Sequence, residues 1–146
     1  MPTRTARTAW NGTLEQGSGQ VELTSSRVGT YDVSFPKRAA DDAGGTTSPE
    51  ELIAAAHSSC YAMQLSAIIA EAGGTPQSLD VTADVTHGPD KANGGFAISG
   101  ITITVRGEVD GLDEAAFVKA AEAAKAGCPV SKALTGTTIT LDAGLE

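Results

Sequence analysis

The chain has 146 residues, 40 % hydrophobic and 19 % charged, a balance that supports a buried core and excludes wholesale disorder. Aromatic residues make up only 4 %, so the core is expected to consist of Ala, Val, Ile and Leu, and no apolar run suggests a membrane span. A net charge of −8 opposes binding to nucleic acid or anionic membrane, whose phosphates it would repel.

The opening MPTRTARTAWNG has no apolar leader pattern, which makes the cytoplasm the expected location. One domain over 1–146 is expected, with N-terminal strands and a hairpin over 1–36. Residues 3–10 and 20–26 read as strands joined by a polar, glycine-rich turn, and a third strand over 30–35 ends at Pro36. Residues 37–47, KRAADDAGGTT, read as a loop. A long helix is predicted within 48–73. Ser48 suits its N-cap, Pro49 its first position, Glu51 a capping box, and Gly73-Gly74 its end. Leu52, Ala56, Ser59/Cys60, Met63, Ala67 and Ala70 form a stripe of small and apolar residues, and Ile53, Tyr61, Leu65 and Ile68 widen it. Such a helix is expected to be buried on most sides, in a core or a subunit interface.

Strands are predicted within 79–109, over 79–87 and 96–109, around the turn GPDKANGG. A second helix and the second cysteine occupy 113–134, and a last strand covers 137–142. Acidic residues early and Lys125 late in the second helix match its dipole, Gly127 ends it, and Cys128 stands at the N-cap of the short turn that follows. This order favours an α+β fold with mainly antiparallel sheet.

Two cysteines in a reducing compartment argue for redox or buried thiols rather than a structural disulfide. Cys60 lies mid-helix in HSSCYAM. It reads either as a small buried hydrophobe or, given three polar neighbours, as a functional thiol. Cys128, before a helix N-terminus, faces unpaired N–H groups that favour a thiolate. The two could form a reversible disulfide only if their Cα atoms approach within about 7 Å, which sequence alone leaves open. His57 reads as a buried, hydrogen-bonded histidine rather than a metal ligand. Glu50 sits about three helical turns before Cys60, roughly 15 Å along the axis, so it could act on that sulfur only through an intermediary. Arg38 precedes the long helix, and a guanidinium beside a thiol would stabilise the thiolate. Arg4, Arg7, Arg27 and Arg106 are alternatives.

TTSPEELIAAAHSSCYAMQLS (46–66) resembles the signature helix of the OsmC/Ohr family, the osmotically inducible protein C and organic hydroperoxide resistance proteins, and AGCPVSKAL (126–134) resembles its second cysteine motif. AWNGTLEQGSGQV (9–21) is similar to the opening of the OsmC branch, and EAGGTPQSLDVTADV (71–85) and the closing ITLDAGL extend the likeness over nearly the whole chain. The resemblance implies an intertwined homodimer, with curved antiparallel sheets wrapped around long central helices. It implies a peroxiredoxin-type enzyme of oxidative and osmotic stress defence that reduces organic hydroperoxides to alcohols and needs no cofactor or metal. Motif for motif, Cys60 becomes the peroxidatic residue and Cys128 the resolving one. Glu50 matches the family's glutamate and Arg38 its arginine, with an external dithiol closing the cycle. The alternative is a hydrophobic-ligand-binding or redox-sensing protein whose thiols are not catalytic.

Overall fold

In the computed structural model, which describes residues 1–146, the elements run β1 (Arg7–Asn11), β2 (Ser18–Glu22), β3 (Thr30–Val33), α1 (Phe35–Ala39), α2 (Pro49–Glu71), β4 (Thr75–Pro89), β5 (Phe96–Asp110), α3 (Glu114–Gly127), α4 (Pro129–Ala133) and β6 (Ile139–Leu145). They fall into two units, 1–52 and 53–146, divided just inside α2.

In the first unit β1, β2 and β3 form an antiparallel sheet in that order. The strands are close neighbours, and a Cβ on Gly19 would run into the Ala9 carbonyl oxygen, so only glycine fits there. The expected third strand stops at Val33 and gives way to α1. Ser34 caps this turn by accepting a hydrogen bond from the Lys37 N–H at 3.4 Å, and Pro36 occupies the first turn. Proline, read from sequence as a strand terminator, here starts a helix because its missing N–H is not needed at that position. Arg38 therefore sits in a helical turn, not a loop.

The start of α2 follows its local chemistry. Ser48 Oγ accepts the Glu51 N–H at 3.1 Å. The Glu51 carboxylate takes the Thr47 hydroxyl at 2.9 Å. Gly73, at φ +89°, ends the helix with Gly74 N–H bonded to the Ile69 carbonyl at 2.9 Å.

In the second unit β4 and β5 form a long antiparallel hairpin. Asp90 organises its turn by accepting the N–H groups of Ala92 and Asn93 at 3.0 and 3.1 Å. β4 is longer than the pattern predicts: it takes in residues 75–78 at its start, with a register shift at Pro76/Ser78, and Gly88 and Pro89, read from sequence as turn, at its end. β6 pairs with β5 in parallel, since the helices between them carry the chain back to the same end of the sheet. Along β5, Ile101, Ile103 and Val105 alternate inward. They pack with Tyr61, Leu65 and Ile69 of α2 and with Phe117, Ala120, Ala121 and Ala124 of α3. Gly107 continues that inward series: a Cβ there would meet Leu79 at 2.9 Å and the Phe117 ring at 3.1 Å. The core is thus more aromatic than composition suggests, Tyr61 and Phe117 being its largest fully buried side chains.

α2 buries only one face, through His57, Tyr61, Leu65 and Ile69 at four-residue steps. The stripe of Ala56, Ser59, Met63, Ala67 and Ala70 is exposed. The expected burial on most sides is therefore not met within the chain's own core, where only one face finds partners; burial in a subunit interface, the other half of that expectation, would need a second copy. The expectation about membrane-length segments is also corrected: α2, at 23 residues, is long and apolar enough by length and composition. Alanine dominates that apolarity. His57 at mid-helix is hydrogen-bonded within the protein, and Tyr61, Leu65 and Ile69 belong to its core.

Candidate active site

Each unit holds one constellation of its own. In the first, Arg38 of α1 and Glu50 of the first turn of α2 form a two-pronged ion pair. Arg38 Nη2 donates to Glu50 Oε1 at 2.6 Å, and Nε reaches Oε1 and Oε2 at 3.1 and 3.2 Å. Glu50 is 8 % exposed, and the Arg38 side chain 31 %. A fork of this kind fixes the plane of the guanidinium as well as its position. It leaves Nη1 outside the carboxylate contact. Arg38, but not Glu50, borders an apolar cavity of about 390 Å³ whose lining includes Trp10, Leu14, Val33, Phe35 and Leu52. Arg106, one of the alternatives, is paired instead with Asp142 at 3.1 Å.

In the second unit Cys60 of α2 and Cys128 at the N-cap of α4 come together as free thiols. They are near enough for the Cys60 S–H to act as a hydrogen-bond donor toward the Cys128 sulfur. Sequence left this approach open. Burial pushes the Cys60 thiol up, and the neighbouring Cys128 adds to that against the opposing Val130 N–H. No cation is among the groups acting on it. Burial would raise Cys128 too. The Ser131 N–H, the Cys60 thiol, the Ser131 hydroxyl and the Val130 N–H outweigh it and hold Cys128 below the ordinary thiol value. Of the two thiols, Cys128, at the N-cap of α4, is therefore the one whose pKa is pushed down and Cys60 the one pushed up.

The polar run around Cys60 is also accounted for. Ser58 and Ser59 return their hydroxyls to the Ala55 and Ala56 carbonyls at 3.3 and 3.1 Å. His57, fully buried, joins Nε2 to Ser131 Oγ at 2.7 Å. Burial lowers His57 below 6.5, so the ring is neutral at pH 7. His57, Cys60 and Cys128 do not form a metal-ligating cluster. Sequence reasoning missed Ser131. Its only signal is its place three residues after the N-cap cysteine, and its partner lies 74 positions away. Tyr61 closes the core side by donating its hydroxyl to the Ala121 carbonyl at 2.9 Å.

A family model described as OsmC-like protein matches residues 41–142. Peroxiredoxin OsmC of Escherichia coli (strain K12) is 42 % identical over 137 residues, covering 94 % of this chain and 92 % of that protein. The protein of the same name from Shigella flexneri matches equally. Among solved structures, the organic hydroperoxide resistance protein OhrB of Bacillus subtilis superposes with a TM-score of 0.75 at 27 % identity, over 95 % of this chain and 97 % of the other. An organic hydroperoxide resistance protein from Elizabethkingia anophelis gives 0.79 at 26 % identity, over 100 % and 98 %. The α+β architecture is accordingly the one shared by the organic hydroperoxide resistance proteins. Within that class, the chain belongs to the OsmC-like family.

Proposed function

We propose that this chain is a thiol peroxidase that reduces organic hydroperoxides to alcohols. The observation that carries the reading is the juxtaposition of two free thiols, Cys60 and Cys128, drawn from separate helices. Cys60 is the peroxidatic residue. Its thiolate attacks the distal peroxide oxygen, the O–O bond breaks, the alcohol leaves, and Cys60 becomes a sulfenic acid. Cys128 condenses with that sulfenate, and an external dithiol reduces the resulting disulfide.

The chemistry requires an ionised Cys60, whereas burial and Cys128 oppose ionisation. A cation must therefore come from elsewhere. Arg38, steered by Glu50, supplies it and also stabilises the departing alkoxide. The two-pronged carboxylate grip supports this role, because it orients the guanidinium without neutralising every N–H. The apolar cavity beside Arg38 favours an organic substituent over strongly hydrated hydrogen peroxide. The exposed small-residue stripe of α2 supports a homodimer in which a second copy covers that face. The location is the cytoplasm, and the setting is defence against oxidative and osmotic stress.

The test is steady-state consumption of cumene hydroperoxide or tert-butyl hydroperoxide with dithiothreitol. Activity is expected in the unaltered chain and none in Cys60→Ser. Full activity in Cys60→Ser would remove that residue from the chemistry. Cys128→Ser is expected to turn over once and accumulate Cys60 sulfenate, so sustained normal turnover would end the resolving role. A hydrophobic-ligand protein would instead co-purify with a ligand detectable by native mass spectrometry and show no peroxide consumption.

A further inference from the structure

His57 and Ser131 have no part in the reaction as drawn, yet both are buried polar side chains. Their geometry is directional. His57 Nε2 lies 2.7 Å from Ser131 Oγ, while Nδ1 is buried with no partner. A buried N–H left without an acceptor is rarer and costlier than a bare lone pair, so the neutral ring carries its proton on Nε2 and donates to Ser131. Ser131 then turns its own hydrogen away from His57. It occupies the third position of α4, the one from which a side chain reaches back to the N-cap residue. That residue is Cys128, fully buried, and the Ser131 hydroxyl lies close enough to favour its anion.

We propose that His57 and Ser131 are positioning residues for the second step: a hydrogen-bond chain from imidazole Nε2–H through the Ser131 hydroxyl to the Cys128 sulfur, which readies that sulfur to attack oxidised Cys60. The inference rests on the peroxidase reading above. In the step, a lone pair of the Cys128 thiolate forms the S–S bond. The Cys60 S–O bond breaks, and its electron pair leaves on hydroxide. The proton that Cys128 released earlier converts hydroxide to water. Cys128 is oxidised, the sulfenate sulfur of Cys60 is reduced, and no further oxidant enters. A neutral imidazole serves this purpose because the chain donates hydrogen bonds without needing to deliver a proton. The other ionisable groups near the site are Cys60 and Tyr61 from α2, Glu122 of α3 acting on Tyr61, and Lys125 of α3 and Lys132 of α4, which line a cavity together with Ser131. The strand β5 contributes apolar Ile101, Ile103 and Val105 to this core.

Two measurements on the full-length reduced protein test the chain. The first titrates the Cys128 thiolate by its ultraviolet absorbance in a Cys60→Ser background. Adding Ser131→Ala is expected to raise the midpoint by about one pH unit, the loss of one hydrogen bond to a charged group. His57→Leu is expected to raise it less, and His57→Gln, which keeps an N–H at the Nε2 position, to restore it. The second is a single turnover with tert-butyl hydroperoxide, quenched in acid and read by mass spectrometry as Cys60 sulfenate and then disulfide. The ratio of the condensation rate to the sulfenation rate is expected to fall about tenfold in Ser131→Ala. A purely structural role would lower the melting temperature of these variants and leave both the midpoint and the ratio where they were, which would overturn the proposal. If the unaltered chain forms no Cys60 sulfenate, the peroxidase reading and the condensation step fail together. A midpoint shifted by Ser131→Ala would then still establish the hydrogen-bond chain, and an unshifted one would remove it.

Discussion

At the scale of single residues, two environments are set against each other. Burial and the partner thiol push the Cys60 pKa up, so the proposed peroxide chemistry requires a cation, and the proposal assigns that charge to Arg38. Glu50→Gln keeps the shape of the carboxylate and removes its charge. It is expected to loosen the guanidinium and slow the peroxide step about tenfold or more, the effect of losing a charge-assisted hydrogen bond. The pH–rate profile should shift toward alkaline values, and an unchanged profile would assign activation to another arginine. His57 makes a separate, measurable contribution. Its folded pKa lies below 6.5 because burial disfavours the imidazolium. Between that lowered value and 6.5 the unfolded chain binds the extra proton and the folded chain does not, so stability falls as the pH drops through this window. Denaturation midpoints of the native chain are therefore expected to fall more steeply below pH 6.5 than those of His57→Gln, and parallel curves would refute this account.

At the scale of elements, the long helix was the most legible part of the chain. Ser48, Pro49, Gly73 and Gly74 are local signals, and each acts within a few residues of itself. Ser48→Ala is expected to destabilise the fold by about 1 kcal/mol, read from urea denaturation, because the Glu51 N–H loses its acceptor. Short elements were less legible. Ser34-Phe35-Pro36 carries equally good signals for a strand end and a helix start, and α1 wins through the Ser34 cap. The burial of Gly107 was invisible in sequence. It depends on Leu79 and Phe117 meeting over β5. Gly107→Ala is expected to destabilise by about 1–3 kcal/mol through overpacking, with the melting temperature as the readout. The parallel β5–β6 pairing could have been inferred from the β-α-β order alone, since such a crossover returns the chain in the same direction.

At the scale of the whole molecule, the exposed face of α2 is the feature that one chain leaves incomplete. Met63 is 69 % exposed in the middle of a stripe of small residues. If a second copy covers this face, Met63→Glu places a carboxylate in an apolar interface. The variant is expected to sediment as a monomer where the unaltered chain sediments as a dimer. A variant that remains dimeric would move the interface elsewhere on the chain.

Sequence alone was enough to determine the family, the α+β class, the caps of α2 and the candidate residues Cys60, Cys128, Glu50 and Arg38, because motifs and helix termini are written in contiguous residues. Tertiary structure decided which of these meet. Arg38 grips Glu50 across the turn between two helices, Cys128 arrives beside Cys60, and His57 finds Ser131 from 74 positions away. Such pairings depend on the path of the chain through space, and a sulfur's charge is set by whichever donors and dipoles that path brings to it.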